Sequence, residues 1–250
     1  MELEEGYRLD DLMIGGFRLI QNTSQFCFGT DSVLLADFAV AHTKGRDRVA
    51  ELCCGNGAVS VLMLARRRQN RITGFELQKD VCELCGKNIE LNSLGDVMDV
   101  VNTDLKFIGR EHYNLYDAVV INPPYYPAGR GPRIEDENRR LSREEGTADL
   151  SDIVSAAKRM LKTKGKLIMV HRASRLGELG SALSAGGFAL KALRCVHSKA
   201  SSPASLVLIS ASKQGGEWCD VEPPVIIYEE DGSYTKDLLG IYHMDGEEKG

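Results

Sequence analysis

No stretch of this 250-residue chain is apolar for long enough to cross a membrane. The opening Met1-Glu2-Leu3-Glu4-Glu5 is acidic, where a secretory leader starts basic and turns apolar. A cytoplasmic protein with no membrane partner is therefore expected. Cysteine lacks a pattern: seven residues, an odd number at no regular spacing, argue against a disulfide framework. Cys82-x-x-Cys85 has no second pair and shares its segment with Val81, Leu84 and Ile89, which favours packing over metal or redox chemistry. None of the five histidines stands at ligand spacing from another, so no metal is expected, and His171 is given a structural role. The single tryptophan, Trp218, lies in a polar connection and is expected to pack on the surface. Internal repeats and low-complexity tracts are absent. Positive charge is not in excess either. The formal net charge of −5 excludes a protein basic all over but not one with a local basic face. What remains is 43% hydrophobic and 27% charged, an ordinary globular composition with room for one large or two small domains.

From residue 46 onward, strand and helix signals alternate. Strands are read at 48–53, 71–76, 97–102, 118–121, 166–171, 205–210 and, weakly, 225–228; helices at 58–67, 78–94, 149–162 and 175–185. Such alternation predicts a mostly parallel, doubly wound α/β sheet with helices on both faces. The first 45 residues form a separate cap segment, with a turn at Gly15-Gly16 and a helix that Thr30 or Asp31 can cap. The span from about 127 to 149 is too long for an ordinary connection and reads as a binding loop or lid.

Four strand ends carry chemistry. Glu51-Leu52-Cys53-Cys54-Gly55-Asn56-Gly57 runs from a strand through a glycine turn into a helix, which lets backbone approach a ligand at a helix amino terminus. It lacks the third glycine of the dinucleotide fingerprint. About 20 residues on, Glu76 ends the next strand, where a carboxylate can accept ribose hydroxyls. Asp104 follows the strand after that and can meet an adenine amino group. Ala118-Val119-Val120-Ile121 then leads into Asn122-Pro123-Pro124-Tyr125. An unbroken β-branched run is buried on both faces, and two prolines fix the turn that follows. A planar amino group suits that turn: Asn122 Oδ1 and a main-chain carbonyl accept its hydrogens while Tyr125 stacks on the ring. A plain proline turn after a strand has the same four letters, so the three preceding strand ends carry the argument.

This order of motifs resembles the class I S-adenosylmethionine-dependent methyltransferases, in the form that methylates planar exocyclic nitrogens. Gln25-Phe26-Cys27-Phe28-Gly29-Thr30-Asp31-Ser32-Val33-Leu34-Leu35-Ala36 further resembles one bacterial family, which methylates adenosine N6 beside the anticodon of valine tRNA. The likeness extends through Val170-His171-Arg172 and the tail from Pro223 to Tyr234. That family's first motif usually opens with Asp and has one Cys before the glycine; Glu51 and Cys53-Cys54 depart conservatively. The resemblance implies a Rossmann-like, seven-stranded, mostly parallel sheet with a short amino-terminal extension, residues 1–250 forming one methyltransferase domain. It implies that S-adenosylmethionine is held by Glu51, Cys53, Gly55, Asn56 and Gly57 at the methionine end. Glu76 and Leu77 are implied at the ribose and Asp104 and Leu105 at the adenine, with Thr30 and Asp31 closing the pocket and Asn122 touching donor and acceptor. Asn122, Pro123 and Tyr125 are the implied catalytic residues, Pro124 and Tyr126 their neighbours on the substrate.

Basic residues suggest the acceptor. Arg130, Arg133, Arg139, Arg140 and Arg143 crowd the long loop; Lys158, Arg159, Lys162, Lys164 and Lys166 follow; Arg172 and Arg175 come after the next strand. Gathered at one sheet edge they suit tRNA phosphates, with Arg130, Arg139, Arg140, Arg143 and Arg172 the chosen contacts. A solvated helix face interleaved with acids is the competing reading. Two other functions stay open: methylation of a protein glutamine, whose amide is also planar, and a non-catalytic binding protein on the same fold. Oligomeric state is not legible.

Overall fold

The computed structural model describes residues 4–24, 27–123, 149–216 and 218–244. The strands β1 (Tyr7–Asp11) and β2 (Arg18–Asn22) pair antiparallel as a two-stranded sheet of their own. Gly15 and Gly16 turn between them at φ +57° and +77°. Helix α1 (Thr30–His42) follows, with Gly29 as its N-cap; Thr30 and Asp31, the expected caps, are its first helical residues.

The main sheet is built from β3 (Arg48–Leu52), β4 (Arg71–Glu76), β5 (Met98–Asn102), β6 (Tyr116–Ile121), β7 (Leu161–Arg172), β8 (Phe188–His197), β9 (Ala204–Lys213) and β10 (Asp220–Ile226). Helices α2 (Ala58–Arg66), α3 (Lys79–Leu91), α4 (Leu150–Met160), α5 (Leu176–Ala185) and α6 (Lys236–Ile241) complete the fold. The strand order is β10-β8-β9-β7-β6-β3-β4-β5. Only β9 runs against its neighbours; the other ladders are parallel. The fold class is as expected, but the sheet has eight strands rather than seven.

The missing strand is β8, and its chemistry explains why it is hard to read. Its buried residues are Phe188, Ala192 and Val196, a spacing of four that looks helical. The ladder shifts between Leu190 and Ala192, leaving Lys191 without a partner on β9. That bulge reverses the alternation. Leu190, Leu193 and Cys195 therefore pack on one face, while Ala192 and Val196 pack on the other. At the outer edge, Pro223 and Pro224 in β10 withhold two N–H groups, which blunts an otherwise exposed strand.

Each face of the sheet has its own core. Val49, Ala118, Val120, Ile168 and Val170 meet α1, α2 and α3 on one side. Ala50, Leu52, Val119, Ile121, Leu167 and Met169 meet α4 and α5 on the other. Successive residues of β6 thus point into opposite cores, which is why its sequence shows no polar alternation. Helix α4 starts from a reciprocal cap: Asp149 Oδ1 accepts Asp152 N–H at 2.8 Å, and Asp149 N–H donates back to Asp152 Oδ2 at 3.4 Å. Trp218 is 79% exposed, not packed, and its indole N–H donates to Asp220. Among the described residues, no helix is long and apolar enough to cross a membrane.

Candidate active site

Because β3, β4, β5, β6 and β7 are mutually parallel, their carboxyl ends share one edge. In doubly wound sheets that edge binds ligands. The glycine turn after β3 carries three left-handed residues, Cys53 at φ +52°, Gly55 at +58° and Gly57 at +84°. A non-glycine residue there costs roughly 1–2 kcal/mol, so Cys53 holds a strained position in the centre of the site. The turn is fastened to β4 by Cys54 N–H, which donates to Phe75 O at 3.1 Å. A Cβ on Gly55 would meet nothing within 4 Å, whereas one on Gly57 would lie 2.7 Å from Cys85 Sγ. The turn is open above Gly55 and closed beneath Gly57.

Two carboxyls lie against this turn in different ways. Glu76 Oε2 accepts Gly55 N–H at 3.0 Å and its Oε1 accepts Gln78 N–H at 2.9 Å, so the end of β4 braces the turn. Burial raises its proton affinity, and the backbone donors pull it back. Glu51 lies deeper. Its Oε2 accepts Ser60 N–H at 3.0 Å and also the Ser60 hydroxyl, which locks the first turn of α2 onto β3. Desolvation pushes Glu51 up to about 8, against the opposing pull of the Ser60 bonds. The sequence assigns Glu51 to the ligand; the structure places this oxygen on the helix.

That shift has a consequence for stability. Below the ordinary carboxyl value of 4.5, Glu51 is neutral in both folded and unfolded chains; between 4.5 and about 8 only the folded chain keeps the proton. Stability from this group is therefore present at low pH and lost as pH rises through that window. Glu51→Gln removes the titration. Its stability should fall less steeply with pH than that of the parent, by up to about 1.4 kcal/mol per pH unit. Urea unfolding at several pH values between 5 and 9 measures this, and parallel curves for the two proteins would rule the effect out.

Asp104 closes the third position. Its Oδ1 accepts Lys106 N–H at 2.8 Å and caps the short 3₁₀ turn Leu105–Phe107. Asn102 Nδ2 donates to Glu76 O and Leu77 O, each at 2.9 Å, which ties the ends of β4 and β5 together. Leu105 is buried and Leu77 is exposed. At the end of β6, Asn122 Nδ2 donates to Asp31 Oδ2 and to Ser32 Oγ, both at 3.2 Å. The cap segment thus reaches the Asn-Pro turn. Thr30 is held in turn by Tyr242, whose hydroxyl donates to Thr30 Oγ1 at 3.1 Å.

One residue of the site escaped the sequence reading. Asn88 of α3 is fully buried; its Oδ1 accepts Ile20 N–H at 2.7 Å, and its Nδ2 donates to Ile20 O at 3.1 Å and Asn56 O at 2.9 Å. It joins the hairpin, α3 and the glycine turn. A helical asparagine in an apolar stripe is the only hint the sequence offers. Asn56 supplies its backbone carbonyl to this joint.

The cysteines next to the turn are packing groups. Hydrogen bonding to Cys85 and burial raise Cys54 well above the ordinary thiol value, and burial with nearby carboxylates raises Cys53 to about 12. Thiols held protonated are poor nucleophiles and poor ligands. Among the described residues no group of three His, Cys, Asp or Glu can hold a metal. His171 is buried on β7, where desolvation first and the Arg175 charge second lower its proton affinity.

The expected basic edge divides. Arg172 ends β7 at the site edge, and Arg175 beside it is paired with Glu178. Lys158, Lys162 and Lys166 are at the opposite end of the sheet, because α4 runs away from the site and β7 starts there. Lys162 pairs with Asp117 at the start of β6 at 2.6 Å; Lys166 donates to His42 O at the end of α1. Lys164 turns at φ +62° between them. Arg159 reaches Leu105 O. The four lysines do not line the site; Arg159 meets only its margin, at the backbone of Leu105. Pro124, Tyr125, Tyr126, Arg130, Arg133, Arg139, Arg140 and Arg143, with the 127–148 part of the proposed loop, lie outside the described residues.

Known proteins can be set beside this geometry. The model of the methyltransferase small domain matches residues 25–178. The chain is 28% identical over 227 residues to a tRNA1(Val) (adenine(37)-N6)-methyltransferase of Tolumonas auensis, covering 90% of this chain and 92% of that one. A protein of the same description from Yersinia pseudotuberculosis is 27% identical over 192 residues, 76% of this chain and 74% of its own. Among solved structures, a predicted O-methyltransferase from Agrobacterium tumefaciens superposes with a TM-score of 0.67 at 19% identity, over 86% of this chain and 96% of that chain. Geranyl diphosphate C-methyltransferase from Streptomyces coelicolor, solved with S-adenosyl-L-homocysteine, gives 0.52 at 15% identity, over 72% and 77%. These two are likenesses of fold.

Proposed function

The chain belongs to the methyltransferase small domain family, and from that premise we propose that it methylates the exocyclic N6 of an adenosine in tRNA, in valine tRNA beside the anticodon. The observation that carries this reading is the Asn122-Pro123 turn at the site edge, with its amide nitrogen bonded to the cap segment and the Glu76 and Asp104 carboxyls at the ends of β4 and β5 along the same edge. The descriptions of the Tolumonas and Yersinia relatives supply the adenine and the tRNA.

The protein is an S-adenosylmethionine-dependent methyltransferase. The residues fit that cofactor: the space above Gly55 admits close backbone approach, Glu76 at the end of β4 accepts the Gly55 N–H, and Asp104 follows the neighbouring strand β5. We assign Gly55, Asn56 and Gly57, with Cys53 and Glu51 behind them, to the methionine end, Glu76 and Leu77 to the ribose, and Asp104 and Leu105 to the adenine. Bound there, S-adenosylmethionine supplies an electrophilic methyl group. The chain's part is alignment. Asn122 Oδ1 and the Pro123 carbonyl accept hydrogen bonds from the acceptor amino group, favour a more tetrahedral nitrogen, and stabilise the positive charge that grows on it. Tyr125 stacks on a base turned out of the RNA, flanked by Pro124 and Tyr126. Arg172 and the loop arginines Arg130, Arg139, Arg140 and Arg143 hold phosphates. A tRNA substrate implies action in the cytoplasm, and no described helix is long and apolar enough to cross a membrane.

Incubation with methyl-labelled S-adenosylmethionine and total tRNA, followed by nucleoside analysis, tests the acceptor. Label is expected in N6-methyladenosine. Label in another nucleoside overturns the choice of atom, and label only in protein replaces RNA with a glutamine side chain.

A further inference from the structure

An asparagine amide has two flip states, and only one presents an oxygen to an amino group. The end of α1 selects between them at Asn122. Asp31 offers Oδ2 at 3.2 Å from the amide nitrogen. A carboxylate can only accept, so the nitrogen, not the oxygen, must face it. Ser32 Oγ accepts from the same nitrogen at 3.2 Å. The carboxylate is itself held in place, since its Oδ1 accepts Ser32 N–H at 2.9 Å. Ser32 is buried beneath, at 3% exposure. Both Nδ2 contacts come from consecutive residues of one helix, so they move as a unit. In a planar amide the oxygen lies on the other side of the carbon from these partners.

We propose that Asp31 and Ser32 are positioning residues that lock the Asn122 amide with Oδ1 turned toward the acceptor nitrogen. This rests on the reading of Asn122 as the group that binds the acceptor, and it assigns Asp31 to the amide rather than to the cofactor. Asp31 has a second effect. A hydrogen bond from Nδ2 to an anion draws electron density through the amide toward Oδ1, making it a stronger acceptor as the nitrogen becomes cationic. Thr30, bonded by Tyr242, fixes the preceding residue of the same helical turn. The geometry therefore runs from the carboxyl-terminal helix through α1 to the catalytic turn.

Asp31→Asn is the informative variant, because its side-chain NH₂ can pair with Oδ1 and favour the wrong flip. Single-turnover methylation of tRNA should slow about 10- to 100-fold, the range for a hydrogen bond to a charged group, with unchanged affinity for S-adenosylhomocysteine by calorimetry. Ser32→Ala should slow about 10-fold, and Ser32→Thr, which keeps the hydroxyl, should recover most of the rate. In the Asn122→Ala background, Asp31→Asn should add no further loss. Rates within threefold of the parent for Asp31→Asn overturn the proposal. So does a loss of rate matched by a loss of cofactor affinity, or an additive loss in the double variant. A separate arm needs no substrate: the ¹⁵N side-chain amide resonance of Asn122, assigned by its absence in Asn122→Ala, should shift in Asp31→Asn. An unmoved resonance sinks the proposal even if tRNA proves to be the wrong acceptor. A fully active Asn122→Ala would instead remove the underlying role of Asn122.

Discussion

Asn122→Ala is expected to slow methyl transfer by roughly 10²–10³-fold, the loss seen when one preorganised transition-state hydrogen bond is removed. Affinity for S-adenosylhomocysteine should stay close to that of the parent. The separation follows from where Asn122 stands. The Glu76 and Asp104 carboxyls and the glycine turn belong to β3, β4 and β5, while Asn122 extends from β6 and touches α1. Removing its amide leaves the first group intact. Asp31 and Ser32 lose a donor but lie at the site edge, so stability should fall by only about 1 kcal/mol. Single-turnover kinetics and calorimetry on the same preparation measure both quantities. An Asn122→Ala enzyme of parental activity would sink the assignment of the turn.

Gly57→Ala should act on the other half of the site and on the fold at once. Its φ of +84° is a glycine conformation, and the new Cβ would sit 2.7 Å from Cys85 Sγ and 3.2 Å from Met98 Cε. Left-handed backbone and crowding together predict a loss of about 2–4 kcal/mol. Cys85 is fully buried on α3, so it has little room to yield. The turn has to move, and cofactor affinity should drop at least tenfold. Gly55→Ala is the control that separates the two effects. Its Cβ meets nothing, so the fold bears only the backbone cost of about 1–2 kcal/mol, while the added methyl stands in the open cradle and weakens the cofactor. Equal melting midpoints for Gly57→Ala and the parent would show that the contact with Cys85 relaxes.

The sequence made parts of this protein plain and hid others for physical reasons. Strands β3, β4 and β6 are short, apolar and punctuated, and 71–76 coincides with β4. Their order is enough to bring Glu51, Glu76, Asp104 and Asn122 to one edge, since parallel strands share a direction. β8 was hidden because one bulged residue, Lys191, reverses the alternation midway. The misplaced lysines show the converse error. They follow β6 in sequence, on α4 and the start of β7, but α4 leads away from the site and β7 returns toward it, which leaves these lysines at the far end of the sheet. Contacts at long sequence separation left no periodic trace: Asn122 with Asp31, 91 positions apart, and Asn88 with Ile20, 68 apart. Glu51 shows a third limit. Its place at the end of a strand is legible, but the choice between ligand and Ser60 depends on how deep the side chain sits.

The Asn88 joint has a consequence for the amide proton of Ile20. That proton is held by a side chain of α3, and the same side chain holds Asn56 O in the glycine turn. Exchange of the Ile20 amide with solvent requires the joint to open, and a ligand bound only to the closed turn opposes opening. At a ligand concentration of 100 Kd the closed state gains about 2.7 kcal/mol, so exchange at Ile20 should slow by about 100-fold. A residue of the amino-terminal hairpin, outside the main sheet, thereby reads out occupancy at the carboxyl edge.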